Sequence, residues 1–359
     1  SQNEIVPAFL RLDVAKLRET VSLQPPEIVA EACNRRFDAF FTTRSSYCTN
    51  TKISRLEAAC DYLKMDCKTT AGQFLINDIN RADRTKKWCP EPNIAIYPPY
   101  DKIPKTTKDG PFSFIEDLDL INKYYDTDKR CAVLGFPYRG ISFHMALQGP
   151  KHSKGLSDAD KSTMKRIISM TPRPKHVTES VKEFYETRMK RKYVAIHWRY
   201  NDDDWANHCK GNHGNPRACQ QILEIMHDAG RLGKAFKNFL GKVKKKLGIE
   251  VMYIAAPPDE MEMLGRVKIE ILKDMPTVEI FLSQQLLPFL DTRFQSQGCR
   301  NYEENRFEIL SLAEMELCAK SEIFLRSSGS SWSMNINLER VIAEKDAFDL
   351  QNLDLLKDY

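Results

Sequence analysis

From residue 185 onward the chain alternates short apolar runs with longer stretches of helical period, and this alternation restricts the fold more than any other feature. YVAIHW (193–198), VMYIAA (251–256), TVEIFL (277–282) and EIFL (322–325) read as four strands. Strands alternating with helices predict an α/β chain with a parallel, doubly wound sheet. In such sheets ligands sit beyond the carboxyl ends of the strands. Arg199 follows the first strand, Asp259 the second, and the segment RSSGSSWS (326–333) the fourth. All three are expected to face one crevice.

The intervening segments support this reading. Ile222, Ile225, Met226, Ala229, Leu232, Phe236, Phe239, Leu240, Val243 and Leu247 recur at helical spacing. Gly230 and Gly233 interrupt that run and predict two helices. PPDEMEML predicts a turn with Asp259 as N-cap and a helix from Met261. FEILSLAEMELCAK (307–320) predicts an amphipathic helix, and a last helix ends near Ala343. The first 184 residues are less regular. SRLEAACDYLKM (54–65) has helical spacing, CAVLGF (131–136) reads as a strand, and the Pro- and Lys-rich stretch 89–112 reads as a long ordered loop. The expected division is an irregular, cysteine-rich region 1–184, a regular α/β domain 185–345 and a tail 346–359. At 359 residues the chain has room for two domains.

Charge and cysteine usage narrow the classes. The net charge of +5 is mild and spread along the chain, unlike a nucleic-acid-binding protein. The lysine-rich runs RMKRK (188–192) and KVKKK (242–246) read as solvated helix faces or ends. No window has the roughly 18–20 apolar residues of a membrane span. No signal peptide opens the sequence, which fits a mature or trimmed form or a cytosolic one. There are 10 cysteines, and those among the first 131 residues sit in polar settings such as SSYCTN and KKWCPEP. Paired cysteines suit an oxidising compartment, so a secretory-pathway lumen, endoplasmic reticulum or Golgi, or secretion is expected. The sequence has no Asn-x-Ser/Thr site to support that.

The strand ends hold the chemistry. A helix start offers free amides and a partial positive charge, and Ser330 and Ser331 add hydroxyls beside Gly329. This combination suits a phosphate; a plain serine N-cap in a loop is the simpler alternative. Arg199 has a planar fork of donors suited to phosphate oxygens, or it pairs with one of Asp202, Asp203 and Asp204. Together, an arginine and a serine-lined helix start fit a diphosphate. The aspartate run is also a conceivable metal site, and Trp198, Tyr200 and Trp205 either stack on a ligand or pack the domain edge. HCKGNHGNPRAC (208–219) holds two His and two Cys, but at no common zinc spacing.

These residues resemble the protein O-fucosyltransferases, inverting enzymes that use GDP-fucose. That family has a His-x-Arg strand end followed by an acidic-Trp segment; here His197-Trp198-Arg199 is followed by Asp204-Trp205. Its cysteine pair flanking a loop is matched by Cys209 and Cys219, which implies a disulfide. Its last motif, Ser-Ser/Thr-Phe-Ser with a following Glu-Arg, is matched by Ser330-Ser331-Trp332-Ser333 and Glu339-Arg340. The resemblance spans about residues 130–345 and is clear from 185 on. It implies two Rossmann-like domains of the GT-B type, with the first region on the acceptor side and residues 185–345 binding the nucleotide sugar. It implies that Arg199 engages the diphosphate and assists its departure, that Ser330, Ser331 and the backbone near Trp332 hold phosphate oxygens, and that His197 and Asp259 lie near guanine or ribose. It implies no metal and no cofactor besides the donor substrate GDP-fucose. The partners it implies are a GDP-sugar and a protein or glycan acceptor, with no nucleic acid.

Two departures stand out. The family's amino-terminal motif places glycines and an Asn/Gln pair near the sugar; the nearest segment here is CNRRFDAFF (33–41), with Asp38, Ala39 and Phe40 in the Gly-Asn-Gln part. In the turn after the second strand, Pro257 replaces the first acidic residue. These losses make a catalytically silent binding or scaffold relative the competing expectation.

Overall fold

The computed structural model describes residues 8–19, 21–35, 38–42, 95–97, 128, 130–135, 158–200, 216–296, 302–327, 330–345 and 347–350. The chain divides into two units, one formed by Ser1–Pro7 and Leu17–Thr163, the other by Ala8–Lys16 and Met164–Tyr359.

In the first unit, strands β1 (Ala39–Thr42), β2 (Ala95–Tyr97) and β3 (Ala132–Gly135) form a parallel sheet in the order β2-β1-β3. β3 is the strand expected from CAVLGF. β2 falls inside the stretch read as a loop: Ala95, Ile96 and Tyr97 belong to a four-residue apolar run, 94–97, between prolines, and they pair with Ala39, Phe40 and Phe41 of β1. So short a run leaves no periodicity to read. The expected helix at 54–65 lies outside the described residues. A disulfide joins Cys33 to Cys131 across a sequence separation of 98, with the Cα atoms 5.7 Å apart. Cys131 immediately precedes β3. In the chain-entropy model, closing a loop of that length stabilises the fold by about 4–5 kcal/mol. The pairing is not readable from spacing alone.

The second unit is built on five parallel strands: β4 (Tyr193–His197), β5 (Val251–Ala255), β6 (Glu279–Leu282), β7 (Ile323–Arg326) and β8 (Ala347–Asp349). The first four correspond to the runs read from the sequence. β8 falls in the expected tail; it pairs Phe324, Leu325 and Arg326 with Ala347, Phe348 and Asp349, and Arg326 bonds Asp349 through Nε at 2.8 Å.

All of β4 and β5 is buried, because alternate side chains enter two different layers. Val194, Ile196, Met252, Ile254, Ile280, Leu282, Ile323 and Leu325 join a core with Ile222, Phe236, Phe239, Leu264 and Val267 from the helices Pro216–Ile225, Ala229–Leu247 and Met261–Asp274. On the other face Tyr253 meets Phe184 edge-on at 6.2 Å, and its hydroxyl reaches Glu314. The helices Lys175–Phe184, Ser283–Ser296, Tyr302–Lys320 and Ser331–Ile342 belong to this unit.

The two expected helices over 216–247 form, but the break lies at 226–228, where Asp228 accepts a hydrogen bond from the Arg231 amide as N-cap. Gly230 and Gly233 sit inside the second helix. At Gly233 a Cβ would stand 2.7 Å from Glu270 Cβ, so this glycine permits close approach of the helix Met261–Asp274 and does not mark a break. Asp259 is not the N-cap of that helix. It lies in a 3-10 turn, Pro258–Glu260, and Glu260 occupies the cap position without a side-chain cap bond. The helix Ser283–Ser296 holds Pro288, whose helix-breaking character hides the element in the sequence.

Glu339 and Arg340 have structural partners. Arg340 is fully buried and donates to the carbonyls of Cys318, Ala319, Ser321 and Glu322. These include last-turn carbonyls of the helix Tyr302–Lys320, which have no intrahelical donors. Glu339 pairs with Arg173 at 2.6 Å, and Arg173 also meets Glu316 at 2.8 Å.

Candidate functional site

The sheet order is β6-β5-β4-β7-β8. The chain runs outward from β4 to β5 and β6, then crosses back to lay β7 on the opposite side of β4. The direction therefore reverses between β4 and β7, and a crevice opens beyond the carboxyl ends at such a reversal. The sequence does not disclose this order, yet it brings the first and fourth strand ends side by side.

Ser327, the first residue after β7, ties the two ends together. Its hydroxyl donates to the His197 carbonyl at 2.6 Å and accepts from the Arg199 amide at 3.1 Å. On the other flank of β4, the Trp198 amide donates to the Ala255 carbonyl at 2.8 Å, and Trp198 Nε1 donates to Glu260 at 3.2 Å. The backbone at 197–199 is thus held from both neighbouring strands.

Across the reversal, the helix Ser331–Ile342 begins with Ser330 as N-cap, whose hydroxyl accepts from the Ser333 amide. The amides of Ser331 and Trp332 belong to the first turn, which has no carbonyls of its own helix to bond. Ser333 is fully buried, and its hydroxyl shares a 2.7 Å hydrogen bond with His197 Nδ1. The Trp332 ring stacks on the His197 ring with centroids 3.9 Å apart, and its Nε1 donates to Ser311 at 2.8 Å. His197, Trp332, Ser330 and the Arg199 backbone therefore converge. Asp259 stands exposed on the turn beyond β5, linked to this group through its neighbour Glu260 and Trp198. Ser331 opens the helix.

The electrostatics divide the roles. Burial, reinforced by the positive charge of Arg199, holds His197 down to about 3, so the imidazole is neutral at physiological pH and contributes no charge to an anion. The sign of the linkage is definite: a histidine kept neutral in the fold and free to protonate when unfolded adds stability above about pH 6.5 that is lost as pH falls toward about 3. His197→Gln is expected to flatten that part of the stability–pH curve, measured by urea unfolding.

Trp198 and Tyr200 are fully buried and pack on each other and, through Trp198, on Phe236; of the two readings of these aromatics, packing holds. Ser327, Ser333 and Glu260 were not singled out from the sequence. The first two lie within the quoted serine-rich segment, where composition gave no reason to choose among five serines. Glu260 reads as an ordinary solvated first-turn acid. Among the described residues, no group of three or more His, Cys, Asp or Glu is placed to hold a metal ion. Asp202–Asp204, Trp205, His208 and Cys209 lie outside the described residues, so the expected Cys209–Cys219 bridge does too. Of the segment 33–41, Asp38 precedes β1 and Ala39–Phe41 lie within it.

The fold is that of an α/β protein with a parallel sheet whose direction reverses between β4 and β7, where Arg199 follows one strand and a serine-capped helix start follows the other. No protein-family model matches the sequence, and no curated protein matches it. Among solved structures the chain is similar to POFUT1 in complex with GDP, with a TM-score of 0.45 and 14% identity over 97% of this chain and 86% of that one. It is similar to POFUT1 in complex with GDP-fucose, with a TM-score of 0.45 and 14% identity over 96% of this chain and 85% of that one. The apo form gives the same score, identity and coverage.

Proposed function

We propose that the chain is a glycosyltransferase that moves fucose from GDP-fucose to a Ser or Thr hydroxyl of a protein acceptor, with inversion and without a metal. The observation that supports this most is the stitched strand end: Ser327 fixes the backbone of His197 and Arg199 against β7 while Ser333 fixes the His197 ring to the helix start. Arg199 and the amides of Ser331 and Trp332 then address the diphosphate from two sides. In this reading Arg199 neutralises charge that grows on the departing diphosphate, so it acts on rate as well as affinity. Ser330 and Ser331 hold phosphate oxygens, the Nε2 side of His197 faces guanine or ribose, and Asp259 contributes from the turn after β5. The donor sugar rests on the motif resemblance.

The same reading takes the chain as two Rossmann-like domains, with the unit that includes Leu17–Thr163 on the acceptor side and the unit that includes Met164–Tyr359, wider than the expected 185–345, binding the donor. The Cys33–Cys131 disulfide agrees with work in a secretory-pathway lumen, and no described helix is long and apolar enough to cross a membrane. GDP and GDP-fucose are the ligands named for the POFUT1 structures above; the proposal itself stands on residues of this chain.

Thermal unfolding with GDP and GDP release from GDP-fucose test it together. GDP at about 100 times its Kd adds about 2.7 kcal/mol of stability, and release of GDP from GDP-fucose is expected to depend on a folded acceptor domain. A melting temperature unmoved by GDP at about 1 mM rejects the nucleotide site. A second reading, a silent binder that keeps the donor site, is favoured by one observation: CNRRFDAFF has Asp38, Ala39 and Phe40 in the Gly-Asn-Gln part, and Ala39 and Phe40 are residues of β1. GDP binding without turnover across many acceptors selects it.

A further inference from the structure

Glu314 is a buried carboxyl that the proposed chemistry does not use. It lies on the helix Tyr302–Lys320 and accepts hydrogen bonds from three pieces of chain that leave or form the sheet. The Tyr253 hydroxyl on β5 donates at 3.0 Å. The hydroxyl of Ser283, the first residue after β6, also donates to it. The third donor is the amide of Ala256, the first residue after β5. A packing role alone would be met by an apolar side chain, because burying a carboxyl is costly unless its acceptors are used.

What lies downstream of Ala256 gives the arrangement its significance. Pro257 and the 3-10 turn Pro258–Glu260 follow directly, and Glu260 holds Trp198 Nε1, next to Arg199. We propose that Glu314 is a positioning residue for the nucleotide crevice: by gathering Ala256, Tyr253 and Ser283 at one buried point it fixes the turn that braces the Arg199 strand end and presents Asp259. This deepens the nucleotide reading and rests on it.

Protonation makes the role testable. Burial pushes the Glu314 carboxyl up to about 8, and its hydrogen bonds from Ser283, Tyr253 and Ala256 pull the other way. The titratable groups facing it are Tyr253 from β5 and Cys318 from its own helix; burial holds both protonated well above their ordinary ranges. Arg340 and Arg173 act on Cys318 in turn. Ionisation of Glu314 strengthens the bonds that it accepts from Ser283, Tyr253 and the Ala256 amide, because each donor favours the carboxylate over the carboxylic acid.

Calorimetric titration of the full chain with GDP across about pH 6.5–9 tests this. If the ionised carboxyl is the form that holds the turn, the apparent affinity rises about ten-fold between about pH 7 and pH 9. Glu314→Gln, neutral throughout, is expected to give a profile without that rise. Ser283→Ala, which removes a bond favouring the ionised carboxyl, is expected to move the midpoint to higher pH; a merely structural serine leaves the midpoint unmoved. Should Glu314→Gln not fold, the wild-type and Ser283→Ala midpoints decide alone. A wild-type profile flat over this range, an unmoved midpoint, or a Glu314→Gln profile that follows the wild type overturns the inference and leaves the nucleotide reading standing. No GDP binding at any pH removes the nucleotide reading itself.

Discussion

Arg199→Ala is expected to abolish most of the stabilisation that GDP confers and to lower sugar transfer by about two to three orders of magnitude, the usual cost of removing one donor aimed at developing negative charge. Binding alone loses about 1.5–3 kcal/mol for each charge-assisted hydrogen bond. The substitution leaves the described backbone supports of the strand end in place. The bond to Ser327 uses the Arg199 amide, and the neighbouring supports use Trp198 and His197. The GDP-induced shift in melting temperature should therefore collapse, measured against the unliganded variant. Arg199→Lys keeps the charge and loses the planar fork, so it should recover part of the binding and less of the rate. A full GDP shift in Arg199→Ala would remove the arginine from the site.

The second large effect concerns folding. Arg340→Met is expected to cost about 3–5 kcal/mol, in the range for removing one partner from a buried charged network. Four carbonyls and the Ser321 hydroxyl lose a donor in the interior. Against a typical stability of about 5–15 kcal/mol, the loss is large enough to populate unfolded chain. Urea unfolding gives the measurement. Arg340→Lys should recover less than half, since one ammonium cannot span acceptors on both sides of the turn from Cys318 to Glu322. The helix that Arg340 anchors is the one whose start faces the crevice, so folded Arg340→Met should also bind GDP more weakly. A variant as stable as the wild type would assign the Glu-Arg pair a role outside the fold's framework.

The contrast between Arg199 and Arg340 shows what the sequence discloses. Both belong to motifs shared with the fucosyltransferases, and the motif alone does not tell a ligand group from a helix-end group. The two differ in setting: Arg340 is fully buried at a helix end, whereas Arg199 is partly exposed at a strand end. Strands β4 to β7 were legible because runs such as VMYIAA are apolar throughout and flanked by turn residues, the mark of a strand covered on both faces. β2 and β8 were not, because three residues give no period. The helix Ser283–Ser296 was concealed by Pro288. Strand order was not legible at all, since it is set by which helix faces pack together and not by any local pattern. That order is what turns three scattered strand ends into one crevice. Ser333 and Ser327 were visible only as members of a serine cluster; their distinct duties, one to a ring nitrogen and one to a carbonyl, follow from register.

The central claim is that Arg199 and the start of the helix Ser331–Ile342 close on one diphosphate at the reversal between β4 and β7. An experimental structure of the GDP complex tests it most directly. The expected result is a diphosphate between the Arg199 guanidinium and the amides of Ser331 and Trp332, with guanine or ribose on the His197 side. GDP bound elsewhere on the chain, or bound at this edge with its phosphates turned away from Arg199, would contradict it.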